Sequence, residues 1–187
     1  MLRHIEEDGK YVEITGFRDV SIGNPEEFVK SINSLKQPDV TVQFFNAQLV
    51  ATWEHLYFAV LDALLAFRNG WNISKALAME AMLYASAQRQ IRKAIELLGV
   101  KSGCIGLGLV IIGEDKVAVQ RTLLAISEHL EKQPDETVLE LSESKTSSIR
   151  RAFEISETEI KTVAEKQPDK ALVNLVIERM ALLATQL

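Results

Sequence analysis

Glu54 and His55 are the residues of this chain that come closest to a catalytic pair. Histidine can act as a base near neutral pH, and a carboxylate can orient its ring. Adjacent residues on a helix do not face each other, however, and Asp62 lies about two turns further along, too far to bond to His55. We therefore expect His55 to be a buried histidine with a structural partner, or a residue that lines a pocket, rather than a general base.

Other kinds of catalytic chemistry are poorly represented. The single cysteine, Cys104, excludes an internal disulfide and a cysteine-cluster metal site, and no His, Cys, Asp and Glu residues have metal-ligand spacing. Gly103, Gly106 and Gly108 lie inside an apolar run instead of between a strand and a helix, so they predict close backbone packing or a bulge. We expect no catalytic residue, no metal and no cofactor.

Two apolar segments must position the Glu54-His55 pair. Residues 54–67 and 76–87 carry only three charged side chains between them, which is typical of helices buried on more than one side. Gly70 should end the first helix, and Asn72 or Ser74 should cap the second. The pattern predicts a central buried helical hairpin.

A third helix is predicted over residues 88–98. Its apolar stripe should contain Ile91, Ala94, Ile95 and Leu98. Arg89, Arg92 and Lys93 follow at i, i+3 and i+4, so they should project together. We expect a surface helix whose outward face is basic.

The remaining segments predict strands among several helices. Strands are expected over residues 10–17 (with one solvent-exposed face), 40–45, 104–112 and, at a sheet edge, 138–141. Further helices are expected over 25–35, 115–130, 156–166 and 169–187, the third of these starting with a capping box at Ser156 and Glu159. Residues 142–148 should be the least ordered. The pattern favours a single α+β domain over residues 1–187, or a mixed α/β sheet covered by helices.

The charge balance argues against a protein that coats nucleic acid non-specifically. The net charge is −5, whereas such binding depends on many neutralised phosphates. Basic residues nevertheless exceed acidic ones between Arg68 and Lys101. The first residues lack the apolar segment of a secretory signal, and no apolar stretch reaches the ~20 residues that span a bilayer. We expect no membrane contact and a cytoplasmic protein.

The residues of the hairpin and of the third helix also match a known pattern. Those that carry the match are Ala47, Gln48, Leu49, Val50, Ala51, Glu54, His55, Leu56, Ala63, Ala66, Phe67, Asn72, Ile73, Ser74, Glu80, Ser86, Gln88, Arg89, Gln90 and Ile91, with weaker continuations over 153–156 and 176–183. Together they resemble the core signature of the kinase-binding subunit of the KEOPS (EKC) complex, the TPRKB-like family of PRPK-binding proteins. Thr52 and Ala87 stand where this family usually has glycine.

The resemblance implies both a function and a fold. It implies a non-catalytic subunit of the KEOPS complex, which makes threonylcarbamoyladenosine in tRNA. Such a subunit binds and activates the complex's atypical kinase-like ATPase, of PRPK type, and helps to hold the 3′ CCA end of the tRNA. A small mixed β-sheet with flanking helices is implied as well.

The C-terminal helix is the predicted kinase-binding site. Its apolar residues cover more of the circumference than one core contact needs. We assign Val173, Val176, Ile177 and Met180 to the core. The predicted docking face consists of Leu172, Leu175, Arg179 and Leu183, because interfaces favour arginine. The alternative is that another segment of this chain covers that face.

Arg89, Arg92 and Lys93 are the predicted tRNA-binding residues, with Lys75 and Lys101 flanking them. A single-stranded CCA end needs only a few phosphate contacts and stacking surfaces, so a local basic patch is sufficient. Alternatively, these residues simply face solvent, with Arg92 paired to Glu96 at i+4.

A second function class also stays open. A pocket around His55, Tyr57 and Tyr84 would favour a small-molecule enzyme. Alanine at His55 separates the two classes, because it would lower only stability in a binding subunit but would abolish turnover in an enzyme.

Overall fold

The computed structural model describes residues 1–164 and 170–184. The helices are α1 (Pro25–Asn33), α2 (Trp53–Asn69), α3 (Leu77–Ala85), α4 (Ile91–Leu98), α5 (Lys116–Leu130), α6 (Glu143–Ala152), α7 (Glu157–Ala164) and α8 (Ala171–Ala184). The strands are β1 (Leu2–Ile5), β2 (Lys10–Arg18), β3 (Thr41–Asn46) and β4 (Gly106–Gly113). The chain divides into a first unit, residues 1–47 and 99–139, and a second unit, residues 48–98 and 140–187. That both form a single domain stays a prediction.

The first unit is built on a four-stranded sheet. Its strand order is β1-β2-β4-β3, and each neighbouring pair is antiparallel. The predicted α+β class is confirmed, and β4, the strand predicted over residues 104–112, lies between β2 and β3. The expectation of a mixed sheet is wrong, because no pair of described strands runs parallel.

A short 3₁₀ segment covers part of this sheet. Residues 136–139 form this segment and pack against β2, so the predicted edge strand over 138–141 is wrong. Val138 approaches so closely that a Cβ added to Gly106 would lie 2.8 Å from its Cγ1. The close packing predicted for the glycine run is therefore confirmed at Gly106. The expected solvent-exposed face of β2 is also wrong, because most of this strand is buried.

The helices of the first unit start where the sequence predicts. The Asn24 side chain accepts hydrogen bonds from the backbone N–H groups of Glu26 and Glu27 at the start of α1. Asp115 does the same at α5, where it accepts from Val117 and Ala118. A core of large apolar side chains fills this unit, among them Phe17, Ile32, Phe44, Leu109, Ile111, Val119 and Ile126.

The second unit is helical, and the predicted hairpin of α2 and α3 is confirmed. Gly70 ends α2 in the left-handed conformation (φ 72°), and its N–H bonds to the carbonyls of Ala66 and Phe67. The C-terminal helix α8 packs against α2, α3 and α7. None of the described helices is long and apolar enough to cross a membrane.

The start of α3 differs from the predicted cap. Its N-cap residue is Ala76, whose methyl side chain cannot accept a hydrogen bond from the helix. Instead, the fully buried Glu80 reaches back into the preceding loop, where its two carboxyl oxygens accept the N–H groups of Ile73 (3.1 Å) and Ser74 (2.6 Å). A residue inside the helix therefore holds the loop that we expected Asn72 or Ser74 to organise.

Two helices follow in the second unit's C-terminal part. Residues 142–148, expected to be poorly ordered, begin α6 behind an N-cap at Ser142, because Lys145 and Ile149 form a buried i, i+4 pair on one face. The capping box of α7 is confirmed, with Ser156 and Glu159 exchanging hydrogen bonds. The predicted end of that helix near Lys166 and the start of the next at Asp169 lie outside the described residues.

Candidate functional site

His55 lies in the first turn of α2 and is completely buried. Its Nδ1 accepts the N–H of Ala51 (3.1 Å), so its Nε2 carries the proton and donates it to the carbonyl of Ala85 (2.7 Å). Burial lowers its pKa to about 4, and nearby Lys145 acts in the same direction. Neither ring nitrogen is available to take a proton from a substrate. The expectation of a structural histidine is confirmed.

The bonds of His55 connect segments that are distant in sequence. The ring joins the entry to α2 to the end of α3, and it packs edge to face against Phe153 after α6, with ring centroids 5.6 Å apart. These are the segments that carry the sequence signature. His55 therefore acts as a structural junction for the signature residues.

A small cleft lies beside this junction. It has a volume of about 200 Å³ and is lined by Ser86, Ala87, Gln88, Ala152, Phe153, Glu154 and Arg179. Ala87 and Glu154, one on each side, adopt left-handed backbone conformations (φ 50° and 53°). Ala87 thus has the conformation that favours glycine, the residue usual at this position of the pattern.

Arg179 brings α8 to this cleft. Its guanidinium pairs with the Glu159 carboxylate of α7. This bond, with those from the Ser156 backbone and hydroxyl, lowers the pKa of Glu159 to about 2. The Arg179 side chain, predicted to dock the kinase, thus has a partner within the chain.

The other predicted docking residues of α8 are buried. Leu172, Leu175 and Leu183 face neighbouring segments, and Leu175 is only 3% exposed. The structure agrees with the alternative, in which other segments of this chain cover Leu172, Leu175 and Leu183. The solvent-exposed edge of α8 consists of Glu178, Ala181 and Leu182 instead, about a quarter to a third of a turn away at 100° per residue.

The predicted tRNA-binding residues do not share one helix. Arg92 and Lys93 lie exposed in the first turn of α4, whereas Arg89 is exposed in the segment that precedes it. Arg92 pairs with Glu96 (3.3 Å), as the solvent-facing alternative predicted. Lys75 is exposed in the loop before α3, and Lys101 is exposed in the first unit. Of the predicted apolar stripe, Ala94 and Leu98 are buried but Ile91 and Ile95 are exposed.

Comparisons with known proteins place the chain in a family. The model of a family described as kinase binding protein CGI-121 matches residues 17–184. This chain belongs to that family. One curated relative, the regulatory protein Cgi121 of Methanocaldococcus jannaschii, is 36% identical over 113 residues, which cover 60% of this chain and 70% of the relative.

The three residues predicted for a small-molecule pocket lie outside the cleft. His55, Tyr57 and Tyr84 were predicted to surround a pocket if the protein were an enzyme, but none of them lines the cleft. Tyr57 packs against Trp53 and Phe58 instead. Over the described residues, no three His, Cys, Asp or Glu side chains group as metal ligands. This cleft is therefore not the pocket that the small-molecule alternative predicted.

Sequence reasoning missed one surface of a kinase-binding protein, the outward face of α2. We expected this helix to be buried on more than one side, yet Phe58 and Leu65 are each 40% exposed. Asp62 lies between them, and burial raises its pKa to about 6. The apolar residues of this face are visible in the sequence of α2, but we assigned all of them to the core.

Proposed function

We propose that this chain is a non-catalytic subunit of a KEOPS-type complex, where it binds and activates the PRPK-type kinase-like ATPase in the cytoplasm. Family membership is the observation that carries this proposal, because the matching family is one of kinase-binding proteins and the curated relative is named a regulatory protein. The neutral, doubly bonded His55 supports a role without catalysis by this chain.

We place the kinase contact on the second unit, with α8 contributing its exposed edge. The original docking set of Leu172, Leu175 and Leu183 is already buried, so it would have to leave its present contacts to meet a partner. Leu182 is exposed without such a change. The proposed contact therefore shifts to Glu178, Ala181 and Leu182, while α8 remains the helix involved.

The kinase proposal is tested with the two purified proteins. The chain alone should hydrolyse no ATP, whereas adding it to the PRPK-type kinase encoded in the same genome should raise the kinase's ATPase rate at least several-fold. A titration of rate against concentration should saturate at a one-to-one ratio. Lack of binding in this titration, or metal- or nucleotide-dependent turnover by the isolated chain, would contradict the proposed function.

We further propose that the start of α4 holds the 3′ CCA end of tRNA. The first turn of α4 contains no acidic residue and does contain Arg92 and Lys93. Cations at a helix N-terminus are repelled by the positive end of the helix dipole, so this arrangement opposes local stability but attracts phosphate. Arg89 lies close by in sequence, and its planar guanidinium can stack on a base.

Exposed ion pairs would not prevent this binding. The Arg92–Glu96 pair is largely solvent-exposed on both sides, and such pairs contribute only about 0–1 kcal/mol. Phosphate can therefore compete for Arg92. Lys75 and Lys101 are both exposed and stay candidate contacts.

Reversing both charges on α4 tests this tRNA site. Arg92→Glu with Lys93→Glu should weaken tRNA binding at least about tenfold and reduce the salt dependence, because each lost phosphate contact lowers the slope by about 0.7–0.9. Lys116→Glu with Arg121→Glu on α5 makes the same change in net charge at two exposed residues and should have little effect. Filter binding of tRNA with and without its CCA end gives the affinities. Unchanged affinity in the α4 variant at low salt would exclude this helix.

A further inference from the structure

The outward face of α2 is unusually apolar for a surface. Phe58, Leu61 and Leu65 follow one another at i, i+3 and i+7, and each is at least partly exposed. At 100° per residue they fall within one face of the helix, together with Asp62. A helix face that points to water normally carries polar side chains. This face instead combines exposed apolar groups with two carboxylates, Asp62 between Phe58 and Leu65 and Glu54 at the start of the helix.

The Asp62 carboxylate could pair with a cation that another protein supplies. Asp62 is only partly exposed, and within the described residues no hydrogen-bond donor and no cation pairs with its carboxylate. Burial alone raises its pKa to about 6. A half-buried carboxylate without a partner is unfavourable for the isolated protein, because desolvation penalises its charge. A positive charge on a partner protein would offset the desolvation cost of the Asp62 carboxylate.

We propose that this face of α2, centred on Phe58, Asp62 and Leu65, docks a protein that places a lysine or arginine against the Asp62 carboxylate. Apolar side chains of the same partner cover Phe58 and Leu65. The inference rests on the proposed kinase binding, and the partner is the kinase-like ATPase. Because α2 and α8 pack against each other, one partner can contact both helices.

Charge excludes the other occupants of this face. Nucleic acid and anionic lipid would bring phosphate to a carboxylate, and like charges repel. A second copy of this chain docking symmetrically would apply the same patch to itself and would bring the two Asp62 carboxylates together. A different protein with a basic residue avoids this repulsion. The net charge of −5 also disfavours self-association.

Few titratable groups near Asp62 can complicate a test by pH. On α3, Tyr84 senses Asp62, and its pKa is raised chiefly by burial and then by Glu80 and Asp62, so it stays neutral. Arg89 acts on Tyr84 in the opposite direction. On α8, the charged residues described are Glu178 and Arg179, and neither contributes to the shift of Asp62. Deprotonation of Asp62 is therefore the change expected on α2 near pH 6.

Calorimetric titration of the kinase with three forms of the chain tests the inference. Asp62→Asn should weaken binding about 30-fold or more, the range for a desolvated charge pair that loses one partner. Glu128→Gln on α5 removes the same charge from an exposed residue and should leave affinity unchanged. The wild-type affinity should fall as the pH is lowered from 7.5 to 5.5, and Asp62→Asn should lack this part of the pH dependence.

Thermal unfolding of the free chains separates docking from folding. At pH 7.5 Asp62→Asn should unfold at the same temperature as wild type or higher, since it removes an unfavourable charge. Phe58→Ser with Leu65→Ser, at two exposed positions, should also fold and should weaken kinase binding.

The outcomes distinguish this inference from the proposed function. Wild-type chain that fails to bind the kinase would overturn both. Wild type and Asp62→Asn that bind equally well would overturn only the α2 site. A destabilised Asp62→Asn chain would show that Asp62 serves the fold. A wild-type dimer that Phe58→Ser with Leu65→Ser dissociates would show that a second copy occupies the face.

Discussion

Replacing Leu175 with glutamate is expected to unfold the chain. Leu175 is 3% exposed on α8. The change removes a buried apolar side chain, which contributes about 1.5–3 kcal/mol, and introduces a charge without a buried partner. A total loss of at least about 4 kcal/mol is comparable to the stability of a whole domain. Far-UV circular dichroism and urea unfolding should show a largely unfolded variant at 25 °C.

Leu182→Glu is the matched control on the same helix. Leu182 is 44% exposed, so this change should alter the free energy of unfolding by less than about 1 kcal/mol. The folded Leu182→Glu chain should bind the kinase more weakly than wild type. If Leu175→Glu folds normally and alone loses kinase binding, the buried side of α8 is the docking face after all, and the exposed edge is not.

Lowering the pH from 7.5 to 5 is expected to destabilise the Asp62→Asn variant by about 2 kcal/mol, because His55 has a lower pKa folded than unfolded. The folded pKa is about 4 and the ordinary value is 6.5. The contribution of His55 is fully present above 6.5 and is lost as the pH falls towards 4, since the unfolded chain binds the proton first. Urea unfolding at a series of pH values measures the loss.

Wild type should show a smaller loss over the same range. Asp62 has a raised pKa of about 6, so its protonation favours the folded state as the pH falls and opposes the effect of His55. Lys145, whose pKa burial lowers to about 8, changes stability mainly above this range. The His55 ring signal in NMR spectra should not shift between pH 7.5 and 5. A normal titration near 6.5 would show that the ring is accessible and would reopen its role as a base.

The features predicted correctly are mostly local in sequence. Helix starts were predicted at residues 25, 115 and 156, and at these points Asn24, Asp115 and Ser156 bond to backbone N–H groups two or three residues ahead. Gly70 ends α2 through carbonyls three and four residues behind. Such contacts need only the geometry of one helix end. The hairpin could be predicted for a related reason, because two long apolar segments flank the helix end at Gly70.

The wrong predictions concern contacts between distant segments. The stripe of α4 placed Ile91 and Ile95 inside, yet both are exposed, and the 3₁₀ segment at residues 136–139 packs on β2 where an edge strand was expected. Likewise, Glu80 holds Ile73 and Ser74 from inside α3. A sequence pattern shows that a face is apolar, but it does not show which other segment covers it.

Sequence alone was sufficient for the α+β class, for most helix ends and for the family signature, because these depend on residue types and short spacings. Only the tertiary structure decided that His55 joins Ala51, Ala85 and Phe153. It also decided that Leu172, Leu175 and Leu183 of α8 are covered, whereas the outward apolar face of α2 is exposed. The physical reason is that a side chain is buried only where a second surface packs against it. The periodicity of a sequence shows which face of a helix is apolar. Which segment covers that face is decided by packing, here that of α2, α3, α7 and α8.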